Sequence, residues 1–171
     1  IPRDQAKTIN LGLFYGMGKA KLQAELGVSK DKAEELFSIY HQRVPFVKTL
    51  MKSVSNRAQQ RGQIRTLLGR LCRFHLWEPN RFGINKALPF EQAVQEHGQG
   101  NIRRAYTYKA LNKLIQGSAA DMTKKSMLDL YKEGIIAHIQ IHDELDLSVE
   151  SPEQAKKVVE IMENAVKLDV P

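Results

Sequence analysis

The stretch Ile139-Gln-Ile-His-Asp-Glu-Leu-Asp-Leu147 is the part of the chain around which we expect the fold to be organised. Its odd positions are apolar apart from Asp143, and its even positions are polar. Apolar residues at every second position predict a half-buried strand or hairpin. A carboxylate at a core-facing position is costly, so we expect that the chain turns there or that a cation compensates the charge.

Two interpretations of this acidic stretch remain open. Three acids fall within four residues, Asp143, Glu144 and Asp146. Oxygen ligands of this kind suit a hard divalent cation such as magnesium. The alternative is a surface hairpin whose turn happens to be acidic.

Length and composition indicate an ordinary globular protein. The 171 residues are enough for one domain or two sub-domains sharing a core. No apolar run is long enough to cross a bilayer, so no membrane partner is expected. Cys72 is the only cysteine, which excludes a disulfide within the chain and a cysteine-based zinc site. A reducing, intracellular setting fits best.

The positive charge is concentrated in the first two thirds of the chain. Net charge is +7, and residues 1–120 hold 20 of the 26 Lys and Arg but only 8 of the 19 Asp and Glu. Two windows contain no acid, one between Glu35 and Glu78 and one from His97 to Ala120. Such segregation suggests a polyanionic partner such as nucleic acid, and a solvated basic surface is the alternative.

Start and stop signals predict a helical first part and a mixed second part. The predicted helices are Arg3 to about Phe14, Lys19–Leu26, a Ser29-capped helix to about Gln42, and Pro45 to Gln60 or Arg61. A hairpin follows, with strands 63–68 and 71–76 and its turn at Gly69-Arg70. Next come a long connection over 77–100 with a short helix at 90–97, a long helix from Ile102 to about Glu133, the strands around Asp143, and a helix capped by Ser151 that ends near Val166.

Two side-chain rows on predicted helices could contact a ligand. Arg3, Lys7, Leu11 and Tyr15 are spaced by four and fall along one side of the first helix. The two cations, about 6 Å apart along the axis, could grip successive phosphates, with an apolar and an aromatic group beyond them. Asn112 and Gln116 are spaced in the same way. Their amides could contact base or sugar edges, or they could simply form hydrogen bonds with neighbouring groups of the protein.

Four blocks together resemble family A DNA polymerases, the group of bacterial DNA polymerase I and the T-odd phage enzymes. They occur in the family's order over essentially the whole chain: Arg3-x-x-x-Lys7-x-x-x-Leu11-x-x-x-Tyr15-Gly16, Thr66-Leu-Leu-Gly-Arg70, Asn112-x-x-x-Gln116-Gly-Ser-Ala-Ala-Asp121, and Gln140-Ile-His142-Asp143-Glu144. The resemblance implies an α+β fold, with helical fingers over residues 1–61 and a palm portion with a small antiparallel sheet over 62–171.

The resemblance also implies a role for each matching residue. Arg3 and Lys7 are expected to bind the incoming deoxynucleoside triphosphate, with Lys7 protonating the pyrophosphate, and Tyr15 to lie near the templating base. Asp143 and Glu144 are expected to hold two magnesium ions. The residues expected to contact primer–template DNA are Arg70, Asn112, Gln116 and His142.

The sequence departs from the family pattern in two places. Leu11 stands where the family usually has Phe or Tyr, so discrimination between sugars is not predicted. The family's upstream metal-binding aspartate, in a motif resembling DYSQIELR, does not occur in this sequence. We therefore expect a fragment, inactive alone, whose second set of metal ligands comes from the remainder of the polymerase chain.

The sequence thus predicts template-directed DNA synthesis in the cytoplasm of a bacterial or phage-infected cell. One alternative is a non-enzymatic nucleic-acid-binding relic of a polymerase. A second alternative is a single-subunit RNA polymerase, although that group usually has His-Asp-Ser where this chain has His142-Asp-Glu144.

Overall fold

The computed structural model describes residues 2–81, 83 and 85–169. Its contacts divide the chain into two compact units. The first contains the described residues up to Ile64 together with Leu71–Lys113, and the second contains Arg65–Arg70 and the described residues from Leu114 onward. The described residues form α-helices and three two-stranded sheets, which confirms the predicted α+β class.

Four helices open the first unit. They are α1 (Arg3–Phe14), α2 (Lys19–Leu26), α3 (Lys30–Arg43) and α4 (Pro45–Arg61). The Ser29 hydroxyl accepts a hydrogen bond from the Lys32 N–H at the start of α3. Gly27 and Gly62 adopt left-handed conformations directly after α2 and α4, a backbone region that favours glycine. The predicted helix bounds are therefore confirmed to within a residue.

A small apolar cluster sets the orientation of α1. Leu13 and Leu22 are fully buried and pack with the nearly buried Tyr40 of α3. Because Leu13 faces this cluster, the side of α1 that carries Arg3 and Lys7 faces solvent.

The next hairpin turns at a different place from the predicted one. Strand β1 (Gln63–Arg65) pairs with β2 (Leu71–Arg73). The Thr66 N–H donates to the Arg70 carbonyl at 2.9 Å, and the Gly69 N–H donates to the Thr66 carbonyl at 3.0 Å. The loop is therefore 67–69, and the predicted turn at Gly69-Arg70 is wrong. Gly69, with φ 88°, supplies the left-handed residue that closes a three-residue loop.

The predicted long helix from Ile102 begins later than expected. Strand β3 (Trp77–Pro79) pairs antiparallel with β4 (Ile102–Arg104), and α5 (Phe90–His97) lies between them in sequence, with the predicted bounds. A 3₁₀ turn (Thr107–Lys109) then leads into α6 (Ala110–Lys132). Tyr106, with φ 60°, interrupts any continuous helix here. The sequence pattern missed this pairing because both strands are three residues long and distant in sequence.

The second unit is built around the later part of α6. Strands β5 (Ile139–Ile141) and β6 (Glu144–Asp146) form the predicted hairpin, and α7 (Pro152–Asn164) follows. The Ser151 hydroxyl accepts the Gln154 N–H at 3.2 Å, which confirms the predicted cap, although α7 ends slightly before Val166. The buried cluster contains Leu130, Ile135 and Val158.

The apolar face of the hairpin is less buried than the alternation predicted. Ile139 and Ile141 are 56% and 50% exposed. Only the end of the hairpin with Leu145 and Leu147 packs against the buried cluster. The alternation identified the strands correctly, but local periodicity carries no information about which part of an apolar face another element covers.

Among the residues that the structure describes, no helix combines the length and the apolar character needed to span a membrane.

Candidate functional site

The predicted row on α1 lies along an exposed side of the helix. Arg3, Lys7 and Leu11 are exposed, and Leu11 retains 46% of its accessible surface. Tyr15, at the C-terminal cap of α1, is half-buried, and its ring meets Phe14 edge-to-face with a 5.2 Å centroid separation. The row therefore has the order two cations, an apolar side chain and an aromatic ring, which suits a phosphate-bearing ligand with a planar group.

The end of this row is held by close packing behind it. Gly16 has φ 86°, a conformation that L side chains rarely adopt. A Cβ at this position would also lie 3.1 Å from the Met51 Cε of α4. Glycine thus allows the chain to leave α1 beside Tyr15 without backbone strain and without a shift of the Met51 methyl group.

The acidic stretch turns at the predicted exception to its alternation. His142 and Asp143 form the two-residue connection between β5 and β6, and Ile141 pairs with Glu144. His142 has φ 54°, and its carbonyl accepts a hydrogen bond from the Gln140 side-chain amide at 3.0 Å. His142, Asp143 and Glu144 are all exposed. Of the two possibilities at Asp143, the chain therefore turns, and burial does not require a compensating cation.

An open cleft of about 680 Å³ adjoins this turn within the second unit. Asp143 contributes to its wall, together with one side of α6 and the segment 162–168. The α6 wall consists of the uncharged side chains of Met122, Thr123 and Ser126, and the Ser126 hydroxyl donates to the Met122 carbonyl at 3.1 Å. The cleft can admit a group that reaches the Asp143 carboxylate.

The carboxylates at the turn are candidate ligands for a metal ion. Asp143 and Glu144 offer the exposed oxygen ligands that magnesium prefers. Within 2–81, 83 and 85–169, no three His, Cys, Asp or Glu side chains are grouped so that they could hold an ion. A magnesium ion can be held by one or two carboxylates together with water and substrate phosphates, so the donor set fits such an ion.

A charged network that the sequence pattern did not identify joins the loop 67–69 to α6. The buried Asp121, 6% exposed, accepts hydrogen bonds from the Thr66 hydroxyl and, at 2.6 Å, from the Arg70 Nε. A terminal Arg70 nitrogen also donates to the Gly117 carbonyl at 2.9 Å. The Leu67 N–H donates to the Ser118 hydroxyl at 2.9 Å. We call Thr66, Arg70 and Asp121 the tip network.

The tip network keeps the Asp121 carboxyl ionised. Burial raises its pKa, but the hydrogen bonds from Thr66 and Arg70 and the charges of Arg70 and Lys124 lower it further, so the net pKa lies below the ordinary value. The available signal was an aspartate following small residues on a long helix, which also contains Gly117 and Ser118. That signal did not identify Thr66 and Arg70 as its partners, since they lie 55 and 51 residues away.

The other predicted contacts lie on exposed surface. Asn112 and Gln116 are both exposed on α6, one helical turn apart. Arg70, in contrast, uses its Nε to bond Asp121 in the tip network, although its side chain is still 45% exposed. The α1 row belongs to the first unit, and the turn at His142-Asp143 belongs to the second.

Comparison with known proteins finds the same family that the sequence motifs resemble. The family model for DNA polymerase family A matches residues 2–171. A DNA-directed DNA polymerase of Pseudomonas phage M6 is 31% identical, aligned with 100% of this chain and 28% of its own length. The thermostable DNA polymerase I of Thermus filiformis is 35% identical, aligned with 99% of this chain and 19% of its own length.

A solved structure shows the same similarity in three dimensions. The POL domain of Pol1 from M. smegmatis, in complex with DNA primer–template and dNTP, matches with a TM-score of 0.73 and 29% identity. The match covers 99% of this chain and 28% of that one, so this chain spans less than a third of each of these relatives. The chain belongs to DNA polymerase family A.

Proposed function

We propose that this chain is part of a DNA-dependent DNA polymerase, with residues 1–61 forming its fingers and residues 62–171 part of its palm. The observation that carries the proposal is the exposed row of Arg3, Lys7, Leu11 and Tyr15 on α1, in a chain that belongs to DNA polymerase family A. Every charge in this row is positive, as binding of a triphosphate requires.

The α1 row binds and orients the incoming deoxynucleoside triphosphate. The Arg3 guanidinium pairs with phosphate oxygens through its planar fork, and the Lys7 ammonium contacts a neighbouring phosphate. Lys7 then gives a proton to the pyrophosphate oxygen as that group leaves. Leu11 provides an apolar wall without a ring, and Tyr15 lies beside the templating base.

The turn of the second unit acts on the reacting end of the primer. The primer 3′-hydroxyl oxygen attacks the α-phosphorus in line, and the bond from that phosphorus to the pyrophosphate oxygen breaks. Asp143 and Glu144 would hold magnesium, with further ligands from elsewhere in the protein. When bound, magnesium neutralises charge on the attacking and leaving oxygens. The primer–template is contacted by His142, Arg70, Asn112 and Gln116. The reaction takes place in the cytoplasm of a bacterial or phage-infected cell.

Primer extension by the complete protein that carries this chain tests the proposal. Asp143→Asn should lower the rate of nucleotide incorporation by about 100-fold or more, because a group acting on transition-state charge is lost. Binding of primer–template should be retained. Asp146→Asn is the matched control, since it removes an exposed carboxylate from the same hairpin.

Each outcome of this experiment has a distinct meaning. Equal rates of nucleotide incorporation by the Asp143 and Asp146 variants would show that Asp143 is not part of the catalytic site. Tight primer–template binding by the unaltered protein without any extension would favour a non-enzymatic binding protein. Incorporation of ribonucleotides in preference to deoxynucleotides would favour an RNA polymerase.

A further inference from the structure

Helix α1 ends in a hydrogen-bonded turn that contains Tyr15. The Gly16 N–H donates to the Leu13 carbonyl at 3.1 Å. The Met17 N–H donates to the Gly12 carbonyl at 2.8 Å. With Gly16 in a left-handed conformation, these two bonds form a Schellman motif, which is a common way to close a helix. The backbone that follows Tyr15 is therefore tied back to the last turn of α1.

The Met17 side chain lies against α1 at a position that has no side chain. A Cβ built on Gly12 would lie 2.5 Å from the Met17 Cε and 3.0 Å from its Sδ. The thioether therefore occupies the space that a side chain at position 12 would fill. We call this space the Gly12 notch. Glycine is a poor helix former, so close approach of Met17, and not helix propensity, accounts for glycine at this position.

The same side chain also packs on the cluster that orients α1. Met17 is half-buried and packs against the cluster of Leu13, Leu22 and Tyr40. An unbranched thioether adapts well to an irregular gap of this kind. Met17 is thus held in three ways, by the bond to the Gly12 carbonyl, by the notch and by the cluster.

We propose that Met17 is a positioning residue, which fixes Tyr15 beside the templating base by filling the Gly12 notch. The inference rests on the proposed function, since that function gives Tyr15 its place in the reaction. Arg3 and Lys7 lie at least one helical turn before the notch, so they keep their positions when Met17 is lost. Loss of Met17 should therefore slow incorporation without weakening the binding of the triphosphate.

Primer extension by the complete protein tests this role through separate values of kcat and KM for the incoming nucleotide. Met17→Ala should lower kcat by about 10-fold or more, because a small displacement beside the reacting groups costs alignment. KM should stay within about 2-fold, because the phosphate contacts of α1 are retained. Met17→Leu nearly conserves the volume and should bring kcat to within about 3-fold of the unaltered protein.

Gly12→Ala separates positioning from stability. Alanine favours the helix and so offsets the packing lost when its methyl group displaces the thioether, and the midpoint of urea unfolding should change little. The kcat should nevertheless fall as it does in Met17→Ala. The double variant Gly12→Ala with Met17→Ala should be no slower than Met17→Ala, because both changes act on one contact. Losses of kcat that multiply in the double variant would overturn the proposal.

Leu26→Ala is the matched control for lost packing. Leu26 of α2 is half-buried and packs on the same cluster as Met17. Its loss should lower the midpoint of urea unfolding about as much as Met17→Ala does, but it should leave kcat unchanged. Equal losses of kcat in the two variants would show that stability of the cluster controls the rate, and would contradict a positioning role.

Methyl NMR of the complete protein, labelled at methionine, tests the contact without DNA or nucleotide. Met17→Leu identifies the Met17 methyl resonance by removing it. Gly12→Ala should shift this resonance, because the added Cβ takes the place of the Met17 Cε. An unshifted resonance would overturn the proposal. A shifted resonance together with no primer extension by the unaltered protein would instead contradict the proposed function.

Discussion

The second unit presents two hairpin tips that treat charge in opposite ways. At the loop after β1, the flanking residues Thr66 and Arg70 donate hydrogen bonds to the buried carboxylate of Asp121, which lies on α6. In the turn after β5, His142, Asp143 and Glu144 are all exposed. A buried carboxylate must be satisfied by its own fold, whereas an exposed one can exchange water for a ligand at little cost. The first tip therefore contributes to stability, whereas the second leaves its charged side chains accessible to a ligand.

Stability measurements test this difference between the two tips most directly. Asp121→Ala should lower the free energy of unfolding by about 3 kcal/mol, because it leaves the nearly buried Thr66 hydroxyl and the Arg70 guanidinium without their shared acceptor. Asp143→Ala should change it by less than about 0.5 kcal/mol, as is usual for an exposed site. Urea unfolding of the complete protein measures both. Similar losses for the two variants would contradict the assignment of the tips.

The pH dependence of unfolding should report on the buried carboxylate of the first tip. The pKa of Asp121 is lowered in the folded state. Its contribution to stability is therefore present above the unfolded aspartate pKa of about 3.9 and is lost as pH falls through the lower folded pKa. The unaltered protein should lose more stability on acidification through this range than Asp121→Asn does. Parallel curves for the two proteins in urea titrations at several pH values would show that Asp121 makes no such contribution.

The smallest expected effect concerns the backbone of the exposed turn. His142 has φ 54°, where glycine has no steric penalty but a larger entropy in the unfolded chain. These terms oppose each other, so His142→Gly should change the free energy of unfolding by less than about 1 kcal/mol. Thermal unfolding measures the change. A loss well above this value would indicate that the His142 side chain stabilises the turn.

Local signals in the sequence predicted much of the secondary structure. The bounds of α1 to α5, the Ser29 and Ser151 caps and the acidic hairpin follow from side chains that act on backbone within about one helical turn or one strand pair. The row on α1 follows for the same reason, because the helix period places residues four apart on one side. The motifs also identified the family, while the roles of their residues stay predictions.

Features that join distant segments could not be read in this way. The pairing of β3 with β4 joins three-residue strands that have too little length for a periodic pattern. The tip network unites Asp121 with residues more than 50 positions earlier. The same holds for the contact of α4 with the 3₁₀ turn, which brings the two basic windows together. Spacing along a chain determines which side of an element a residue occupies, but the partner of that side is selected by burial and hydrogen bonding in the folded molecule.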